Sequence, residues 1–471
     1  MIPSPAGLLV AAALLLLGYA LRAPVIVGLF ASLPFGSTAI GTLIALGGST
    51  PLIYTAFVLL LLAGVAFSRG FLNDLARVFA NYGTAWIVVA LIAYAILSAI
   101  VFPRLFAGQT VALVAAPGGA VRPLPLAPVS GNITQTGYFV LGAFAFFAFA
   151  VLLVRGGYFE AVRRGFLTWA VIHAALGIAD LLGKAAGARD LMSPIRTASY
   201  AYLVDVEEAG FWRIAGGHAE ASAFGSVTLA CLAFSYTYWR ASRSQPMLLL
   251  TIVLFCLLIL STSSAAYAGF AIVAPFAGLS ILLSALRGRL TRRDILLFAL
   301  GWLALTAALF LYLYSERLFD PFVRLFESMI LNKAMSSSAQ ERLYWNTVSM
   351  QAFLDTGGVG IGLGSSRASS WVVAVISQLG AVGLLLMSCL VGLLLWDLVS
   401  SKRASEDPYT RALVSGARSS VLASLASASV ASGSADPGLP FFIALALVVV
   451  YRKPVARRAP VARSLQVAGS R

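Results

Sequence analysis

The stretch that decides the fold runs from residue 368 to residue 396, ASSWVVAVISQLGAVGLLLMSCLVGLLLW. It contains no Asp, Glu, Lys or Arg, and a bilayer core needs only about 20 apolar residues per spanning helix. Similar apolar runs recur from residue 6 to residue 452. Of the 471 residues, 60% are hydrophobic and 11% are charged, and the mean hydropathy is +0.91. Soluble domains carry about 25% charged residues, so the composition excludes an ordinary water-soluble globule and predicts an all-α polytopic membrane protein.

The apolar runs predict about 12 or 13 transmembrane helices in a single membrane domain, residues 1–452. The count stays open because the first two runs, joined at Arg22 to Pro24, form either two spans or a broken hairpin. A basic tail, residues 453–471, is expected to be disordered. The predicted spans are roughly 6–22, 24–43, 51–68, 83–103, 136–154, 164–186, 216–238, 246–261, 264–286, 294–314, 368–396, 411–432 and 438–452.

The formal net charge of +15 is best explained by membrane orientation. Positively charged short loops face the cytoplasm, so the side that carries the basic turns and the tail is predicted to be cytoplasmic. No basic face interleaves with exposed aromatic residues, so a nucleic-acid partner is not expected. The basic turns hold Arg155, Arg163, Arg164, Arg240, Arg243, Arg287, Arg289, Arg292 and Arg293.

The opposite, extracytoplasmic side is predicted to carry three long loops, 104–135, 187–215 and 315–367. Loops longer than about 12–15 residues in a compact protein are usually functional or disordered. Within the largest loop, the run ERLYWNTVSMQAFLD, 341–355, spaces its apolar residues as a helix does. It predicts an amphipathic helix that lies at the outer membrane interface.

Few residues suit metal or ion-coupled chemistry. The chain has three cysteines and two histidines, widely separated, so we expect no metal cluster, no disulfide framework and no cofactor. Asp180 and Lys184 lie one helical turn apart near the outer end of a span and predict an ion pair. The other spans lack acids near their midpoints, which disfavours an ion-coupled transporter.

The segment FWRIAGGHAEASAFG, 211–225, holds the first candidate site. Arg213 offers a fixed fork of donors that suits phosphate oxygens. Glu220 or His218 could take a proton from a sugar hydroxyl. The alternative is an interfacial belt, in which the arginine and its neighbouring tryptophan only anchor a helix end.

Two further segments follow in the largest loop. Arg342, in QERLYWN, 340–346, is either a phosphate ligand or part of a solvated helix turn. The run GGVGIGLGSSRASS, 357–370, places Arg367 among small residues before an apolar span. Because a flexible loop that leads into a helix N-terminus can hold an anion, this run is a further, weaker candidate.

The order of these parts resembles the O-antigen ligase and Wzy-type polymerase superfamily. The similar patterns are LPFGSTAI in an early span, the arginine that opens RIAGG, a tight turn STSSAAYAG at 261–269, and the late arginine and glycine run before LGAVG, 379–383. Two positions depart from the family pattern. Ser369 stands where the ligases have a histidine, and Ser264 and Ala265 stand where the tight turn has an arginine. Both departures favour a polymerase over a lipid A–core ligase.

The resemblance implies a metal-independent glycosyltransferase of the bacterial inner membrane. Its donor would be an undecaprenyl-diphosphate-linked oligosaccharide, polymerised into exopolysaccharide or O-antigen beside membrane lipid, with a chain-length regulator or flippase of the same pathway as a possible partner. Arg213, Arg342 and Arg367 would bind the diphosphate, with Ser369 beside them, and Glu220 or His218 would be the base. The alternatives are an O-antigen ligase that transfers the glycan to a lipid core and, from another class, a flippase or permease for lipid-linked glycans.

Overall fold

In a computed structural model, the described residues form a bundle of α-helices with three short two-stranded antiparallel sheets. The structure describes residues 2–44, 48–115, 121–200, 202–204, 207–208, 211–286, 337–400 and 407–453, and a few positions between 288 and 310. The helices within these residues are α1 (Pro5–Ala20), α2 (Pro24–Ser32), α3 (Ile53–Ala66), α4 (Phe71–Asn81), α5 (Gly83–Leu105), α6 (Ser130–Arg155), α7 (Phe159–Ala185), α8 (Ala221–Ser242), α9 (Gln245–Leu260), α10 (Ser264–Leu286), α11 (Ser337–Asp355), α12 (Trp371–Ser400), α13 (Pro408–Ala431) and α14 (Leu439–Arg452). The strands pair as β1 (Ile2–Pro3) with β2 (Gly41–Thr42), β3 (Val111–Ala115) with β4 (Val121–Pro125), and β5 (Glu207–Glu208) with β6 (Phe211–Trp212).

Four helices of the described part are long and apolar enough to cross a membrane: α5, α6, α7 and the portion Trp371–Trp396 of α12. The pair α3 and α4 passes the same test together but is bent by 99°. Helices α1, α9 and α14 and the first part of α10 are apolar but shorter. The chain is therefore a mostly helical protein with several helices able to span a membrane, as its composition predicts. The predicted span 294–314 lies largely outside the described residues.

The prediction of a second full span at 24–43 is wrong. Helix α2 ends at Ser32, and nine residues at 1.5 Å each cover only about 14 Å. Pro34 follows two residues later and cannot continue the helical hydrogen bonding. Helices α1 and α2 pack against each other, which favours the broken hairpin over two complete spans.

Helix α4 is a feature that the apolar runs did not predict. It begins after Gly70, its N-cap residue, whose φ of 76° turns the chain four residues after the end of α3 at Ala66, and it is strongly amphipathic. Asp74 on its polar side pairs with Arg155 at 2.7 Å and with Arg77 at 3.3 Å. A short amphipathic helix set across the bundle at this angle is typical of a helix that lies in a membrane interface.

The centre of the bundle is packed by aromatic rings and by small residues. The Phe166 ring lies 4.6 Å from that of Phe30 and 5.0 Å from that of Phe234. Helices α8 and α13 make the most extensive helix pair. Gly416 of α13 faces Phe234 of α8 so closely that an added Cβ would come within 2.9 Å of the ring. Small residues of this kind let membrane helices approach closely.

One end of the bundle, here called the basic end, collects arginines from the last residue of α6 and the first turns of α7. Arg163 donates to the Tyr238 hydroxyl near the end of α8 at 3.2 Å, and Arg164 donates to the Leu21 carbonyl after α1 at 2.8 Å. The Tyr82 hydroxyl before α5 donates to the Lys453 carbonyl after α14 at 2.9 Å. These basic turns, which were predicted to share one side of the membrane, therefore lie at one end of the bundle. The remaining basic residues of that side lie outside the described residues: Arg287, Arg289, Arg292, Arg293 and the tail from 454.

The opposite end, here called the loop end, gathers the described parts of the three long loops. The Asn132 amide at the start of α6 donates to the Leu363 carbonyl at 2.8 Å. The Arg367 N–H donates to the Leu113 carbonyl of β3 at 2.9 Å. The stretch 341–355, predicted as a helix, is helical as part of α11, which packs against β3 and α12. Residues 315–336 of the largest predicted loop lie outside the described residues.

Candidate functional site

A buried ion cluster at the end of α7 holds the first candidate segment in place. Lys184 Nζ lies 3.1 Å from Asp180 Oδ2, and Arg196 Nη2 lies 3.2 Å from Asp180 Oδ1. All three side chains are at least 94% buried. The predicted pair of Asp180 and Lys184 is confirmed, and Arg196 is a third member that sequence reasoning did not assign to it.

The same cluster fixes the backbone of the segment that starts at Arg213. The N–H groups of Ala215 and Gly216 donate to Asp180 Oδ2 at 2.8 and 3.1 Å. Lys184 Nζ donates to the Arg213 carbonyl at 2.6 Å. The position of Arg213 therefore depends on three buried charges at the end of α7.

Two of the sequence patterns that carry the family resemblance are in direct contact. The Ser37 hydroxyl of LPFGSTAI donates to the Gly217 carbonyl of RIAGGH at 2.8 Å, and the Ser37 N–H donates to the same oxygen at 3.0 Å. An added Cβ at Gly217 would come within 2.4 Å of the Pro34 carbonyl oxygen. The non-helical peptide after α2 therefore supports the Arg213 segment from inside the bundle.

Arg213 is partly buried and has no carboxylate partner among the described residues. Its Nε is fully buried and makes no hydrogen bond there. Its charge also acts on the Tyr267 hydroxyl at the start of α10. A buried N–H without an acceptor is unfavourable by about 1–3 kcal/mol, so this guanidinium is suited to receive an oxygen from a ligand.

His218 is placed differently from the expectation of a catalytic base. Its side chain is buried, with the ring 5.7 Å from that of His173, and an added Cβ at Gly36 would lie 2.2 Å from its Nδ1. Burial lowers the pKa of His218 to about 4, and the Arg196 charge adds to the shift. A neutral, enclosed imidazole of this kind is a weak proton acceptor and a poor candidate for the base.

Glu220 lies where the segment enters α8. It is partly buried, is the N-cap residue of that helix and accepts a hydrogen bond from the Ser222 hydroxyl. It pairs with no cation among the described residues. Of the two bases that the segment predicted, Glu220 is the one that retains access to the loop end.

The glycine run 357–364 is not an anion cradle, contrary to the expectation. Its N–H groups are used within the protein: Ile361 and Gly362 donate to the carbonyls of Ser377 and Gln378, each at 2.9 Å, and Gly364 donates to the Gln378 side chain at 2.9 Å. The run packs against a break in α12 at Gly380, where φ is 64°. The glycines serve this close backbone packing and leave few amides for a ligand.

The second group of candidate residues is brought together by α11. The Asn346 side chain accepts the Ser369 N–H at 2.8 Å, and the Arg367 guanidinium lies 5.7 Å from the centre of the Trp345 ring. Arg342 is three and four residues before these contacts, so it lies on the same face of the helix. Arg342 and Arg367 thus share one surface, whereas the Ser369 side chain is buried beneath it.

The last turns of α13 lie between the two groups of arginines. Ser427 hydrogen-bonds Ser226 of α8 at 2.7 Å, close to the Arg213 segment. Gly433 lies against Arg367, since an added Cβ would come within 2.9 Å of the arginine Cγ. Gly433 lies six residues after Ser427 and just beyond the end of α13 at Ala431, so both groups lie at the same end of the bundle, beside this part of the chain.

The candidate arginines differ from the ion-paired arginines of the basic end. Among the described residues, none of Arg213, Arg342 and Arg367 forms an ion pair. At the basic end, the arginines that form ion pairs with Asp74 or Glu160, at 2.6–3.3 Å, are Arg77, Arg155, Arg163 and Arg164. Other described arginines, such as Arg22 and Arg69, also lack an ion pair, so what distinguishes the three candidates is their common position at the loop end.

The structure adds one acidic residue that sequence reasoning missed. Asp436 lies in the short connection between α13 and α14, three residues after the glycine that touches Arg367. The only signal was a single acid in SGSADPG, 432–438, between two apolar runs. Within the described part of the chain, no group of three His, Cys, Asp or Glu side chains is arranged to hold a metal ion. Neither a protein-family model nor a curated protein matches the chain.

Proposed function

We propose that this protein is a glycosyltransferase of the polysaccharide-polymerase type. It transfers an oligosaccharide repeat from undecaprenyl diphosphate to a hydroxyl of a second lipid-linked repeat, on the outer side of the bacterial cytoplasmic membrane. The observation that carries the proposal is the set of three arginines at the loop end, Arg213, Arg342 and Arg367, that have no carboxylate partner among the described residues.

The chemistry of a lipid-diphosphate donor explains why unpaired arginines matter. When the bond from the sugar to the diphosphate breaks, negative charge grows on the leaving oxygen, and fixed positive groups stabilise that charge. An arginine that is already paired with Asp or Glu offers less of this stabilisation, as at the basic end. Guanidinium forks also match pairs of phosphate oxygens geometrically.

The membrane orientation is part of the same proposal. Because basic turns remain in the cytoplasm, the basic end faces inward and the loop end faces outward. Residues 1–452 then form one domain with about 12 spans, and short helices such as α2 complete the bundle. A lipid-linked donor that has been moved across the membrane would meet the arginines from the lipid side.

A flippase or permease for the same lipid-linked glycans is the second candidate. The broken helix α2 and the buried charges of Asp180, Lys184 and Arg196 favour it, because interrupted helices and intramembrane charges are typical of transporters. Here, however, Asp180 is fully used by its partners and the peptide after α2 packs against Gly217, so these features support the loop end. A ligase that uses a lipid core is the third candidate, and the serine at position 369 weighs against it.

Reconstitution separates these candidates. The purified chain in detergent micelles is mixed with lipid-linked single repeats taken from cells that lack it, in excess chelator. A polymerase lengthens the repeats because micelles need no transport step, a ligase requires added lipid core, and a flippase changes nothing. Absence of elongation, or elongation that needs an added divalent ion, would refute the proposal that arginines alone meet the diphosphate.

A further inference from the structure

The connection between α13 and α14, residues 432–438, is held rigidly at the loop end. The Trp371 indole N–H donates to the Ala435 carbonyl at 3.1 Å. The Ser434 hydroxyl donates to the Gln135 side chain of α6 at 3.3 Å and accepts the Asp436 N–H at 3.2 Å. Asp436 is therefore positioned by contacts from α6 and α12, although it belongs to a loop.

Only one of the two oxygens of the Asp436 carboxylate accepts a hydrogen bond from the described residues. Its Oδ1 accepts the Gly438 N–H at 2.9 Å, whereas its Oδ2 has no hydrogen-bond donor among the described residues. No described cation lies within ion-pair distance of this carboxylate, although Gly433 of the same connection packs against Arg367, where an added Cβ would lie 2.9 Å from the arginine Cγ. The residue is partly buried, and burial raises the pKa of Asp436 to about 6. A carboxylate with these properties accepts a proton readily near neutral pH.

Tyrosines from three different elements lie near this carboxylate or near one another. The Tyr54 hydroxyl of α3 interacts electrostatically with Asp436, and also with the hydroxyls of Tyr138, from α6, and Tyr200, from the 196–204 segment. Just before α3, Ser49 hydrogen-bonds the Tyr138 hydroxyl at 3.4 Å, and Thr50 hydrogen-bonds Ser199, the neighbour of Tyr200, at 3.2 Å. Tyr54 and Tyr138 are partly buried, whereas Tyr200 is 45% exposed. The cluster therefore combines one carboxylate with three tyrosines, of which Tyr200 is the most exposed.

This set of groups fits a sugar. Tyrosine rings offer flat apolar faces for the C–H side of a pyranose, and their hydroxyls both donate and accept hydrogen bonds. Convergent polar groups on an apolar lining are the usual composition of a small-molecule site. The cluster lies next to Arg367, where the proposed donor diphosphate would bind.

We propose that Asp436, Tyr54, Tyr138 and Tyr200 bind the acceptor sugar and that Asp436 is the base of the transfer. This inference rests on the proposed function and replaces Glu220 in that role. The acceptor hydroxyl oxygen forms a bond to the anomeric carbon of the donor, and its proton moves to Asp436 Oδ2. The bond from that carbon to the diphosphate oxygen breaks, and the electron pair remains on the diphosphate. Asp436 then releases its proton to water.

The test compares Asp436→Asn, Asp436→Glu and, as a control, Asp190→Asn in the micelle assay with lipid-linked single repeats. Asparagine at 436 is nearly isosteric and still accepts the Gly438 N–H, so we expect a folded protein. The elongation rate of Asp436→Asn should fall by about 10²–10⁴, the usual contribution of a general base, whereas Asp190→Asn, at an exposed position, should remain within about threefold of wild type. Asp436→Glu should retain measurable elongation.

The pH dependence of elongation gives a second measurement. The base must be ionised, so the wild-type rate should fall as the pH drops through about 6, and the residual rate of Asp436→Asn should lack that limb. Arg367, Tyr54, Tyr138 and Tyr200 are the other titratable groups around the carboxylate, and none of them normally titrates near that pH. Tyr54→Phe should raise the KM for the acceptor repeat without abolishing turnover.

The outcomes distinguish this inference from the function on which it rests. Elongation by the wild type together with an unchanged rate and pH profile for Asp436→Asn would overturn the inference and leave the polymerase proposal intact. If Asp436→Asn does not fold, an unchanged KM in Tyr54→Phe together with a wild-type rate and pH limb in Asp436→Ser, which removes the carboxylate, would overturn it equally. Failure of the wild type to elongate would overturn both.

Discussion

Replacing Asp180 by asparagine tests whether the buried charges of α7 hold the Arg213 segment. Asp180 accepts four hydrogen bonds, from Lys184, Arg196, Ala215 and Gly216. Asparagine keeps an acceptor for the backbone N–H groups but removes the negative charge, which leaves two buried cations without compensation. Removing one partner of a buried pair typically destabilises a protein by about 3–5 kcal/mol, and we expect a loss of at least about 3 kcal/mol here.

The measurement is the free energy of unfolding from a denaturant titration in mixed micelles, with Asp190→Asn as the control. Asp190 is exposed in the 3-10 helix Arg189–Ile195, so its substitution should change stability by less than about 0.5 kcal/mol. Adding Lys184→Met to Asp180→Asn removes one of the uncompensated charges and should recover about half of the loss, because apolar replacements of buried ion pairs are well tolerated. A loss under about 1 kcal/mol for Asp180→Asn alone would refute the argument that this carboxylate organises the segment.

Three other perturbations address the arginine site, the orientation and the helix break. Arg213→Lys keeps the positive charge but not the forked guanidinium, so the elongation rate should fall by about 10²–10³. Arg122→Lys on the exposed strand β4 is the control and should leave the rate unchanged. Equal elongation rates in the two variants would contradict the proposed role of Arg213. In a cysteine-free background, an impermeant maleimide applied to spheroplasts should label Ala188→Cys at the loop end and not Ala241→Cys at the basic end, and the reverse pattern would invert the topology. Gly380→Ala should destabilise the protein by several kcal/mol in the same denaturant titration. The reason is that φ at position 380 is 64° and the new Cβ would lie 2.0 Å from the Val359 carbonyl oxygen. A variant as stable as the wild type would show that the break in α12 can relax.

The helices that the sequence predicted well are those whose length the membrane dictates. Helices α5, α7 and the apolar part of α12 begin and end within about five residues of the predicted spans, because an uninterrupted apolar run of that length has few other stable structures. The segment 24–43 failed because it is equally apolar but contains Pro34, and its backbone groups are satisfied by the 195–217 region. Hydrogen-bond partners this distant in the sequence cannot be predicted from the local composition.

The candidate site shows a similar division. Proximity in the sequence grouped Arg213, His218 and Glu220, but the backbone turn at Gly216 directs the histidine into the core beside Gly36. The glycine run was recognised, yet its partners in α12 could not be inferred from a pattern of glycines. Asp436 was missed because a single acid in a short loop has no periodicity, and only the contacts of Tyr54 and Trp371 make it conspicuous.

The difference between an interfacial anchor and a ligand-binding arginine can be argued from Arg213 itself. An anchor extends its whole guanidinium toward water or lipid headgroups, where every N–H finds an acceptor. The Nε of Arg213 is instead fully buried and has no acceptor among the described residues. A folded protein tolerates such a group mainly where binding supplies the missing partner, since functional sites are where unfavourable local arrangements persist. Arg155 and Arg196 also have a buried N–H without an acceptor, but each of them forms an ion pair. Arg213 has neither an acceptor for its Nε nor a carboxylate partner among the described residues, and this combination is the argument for a bound phosphate oxygen in the proposed function.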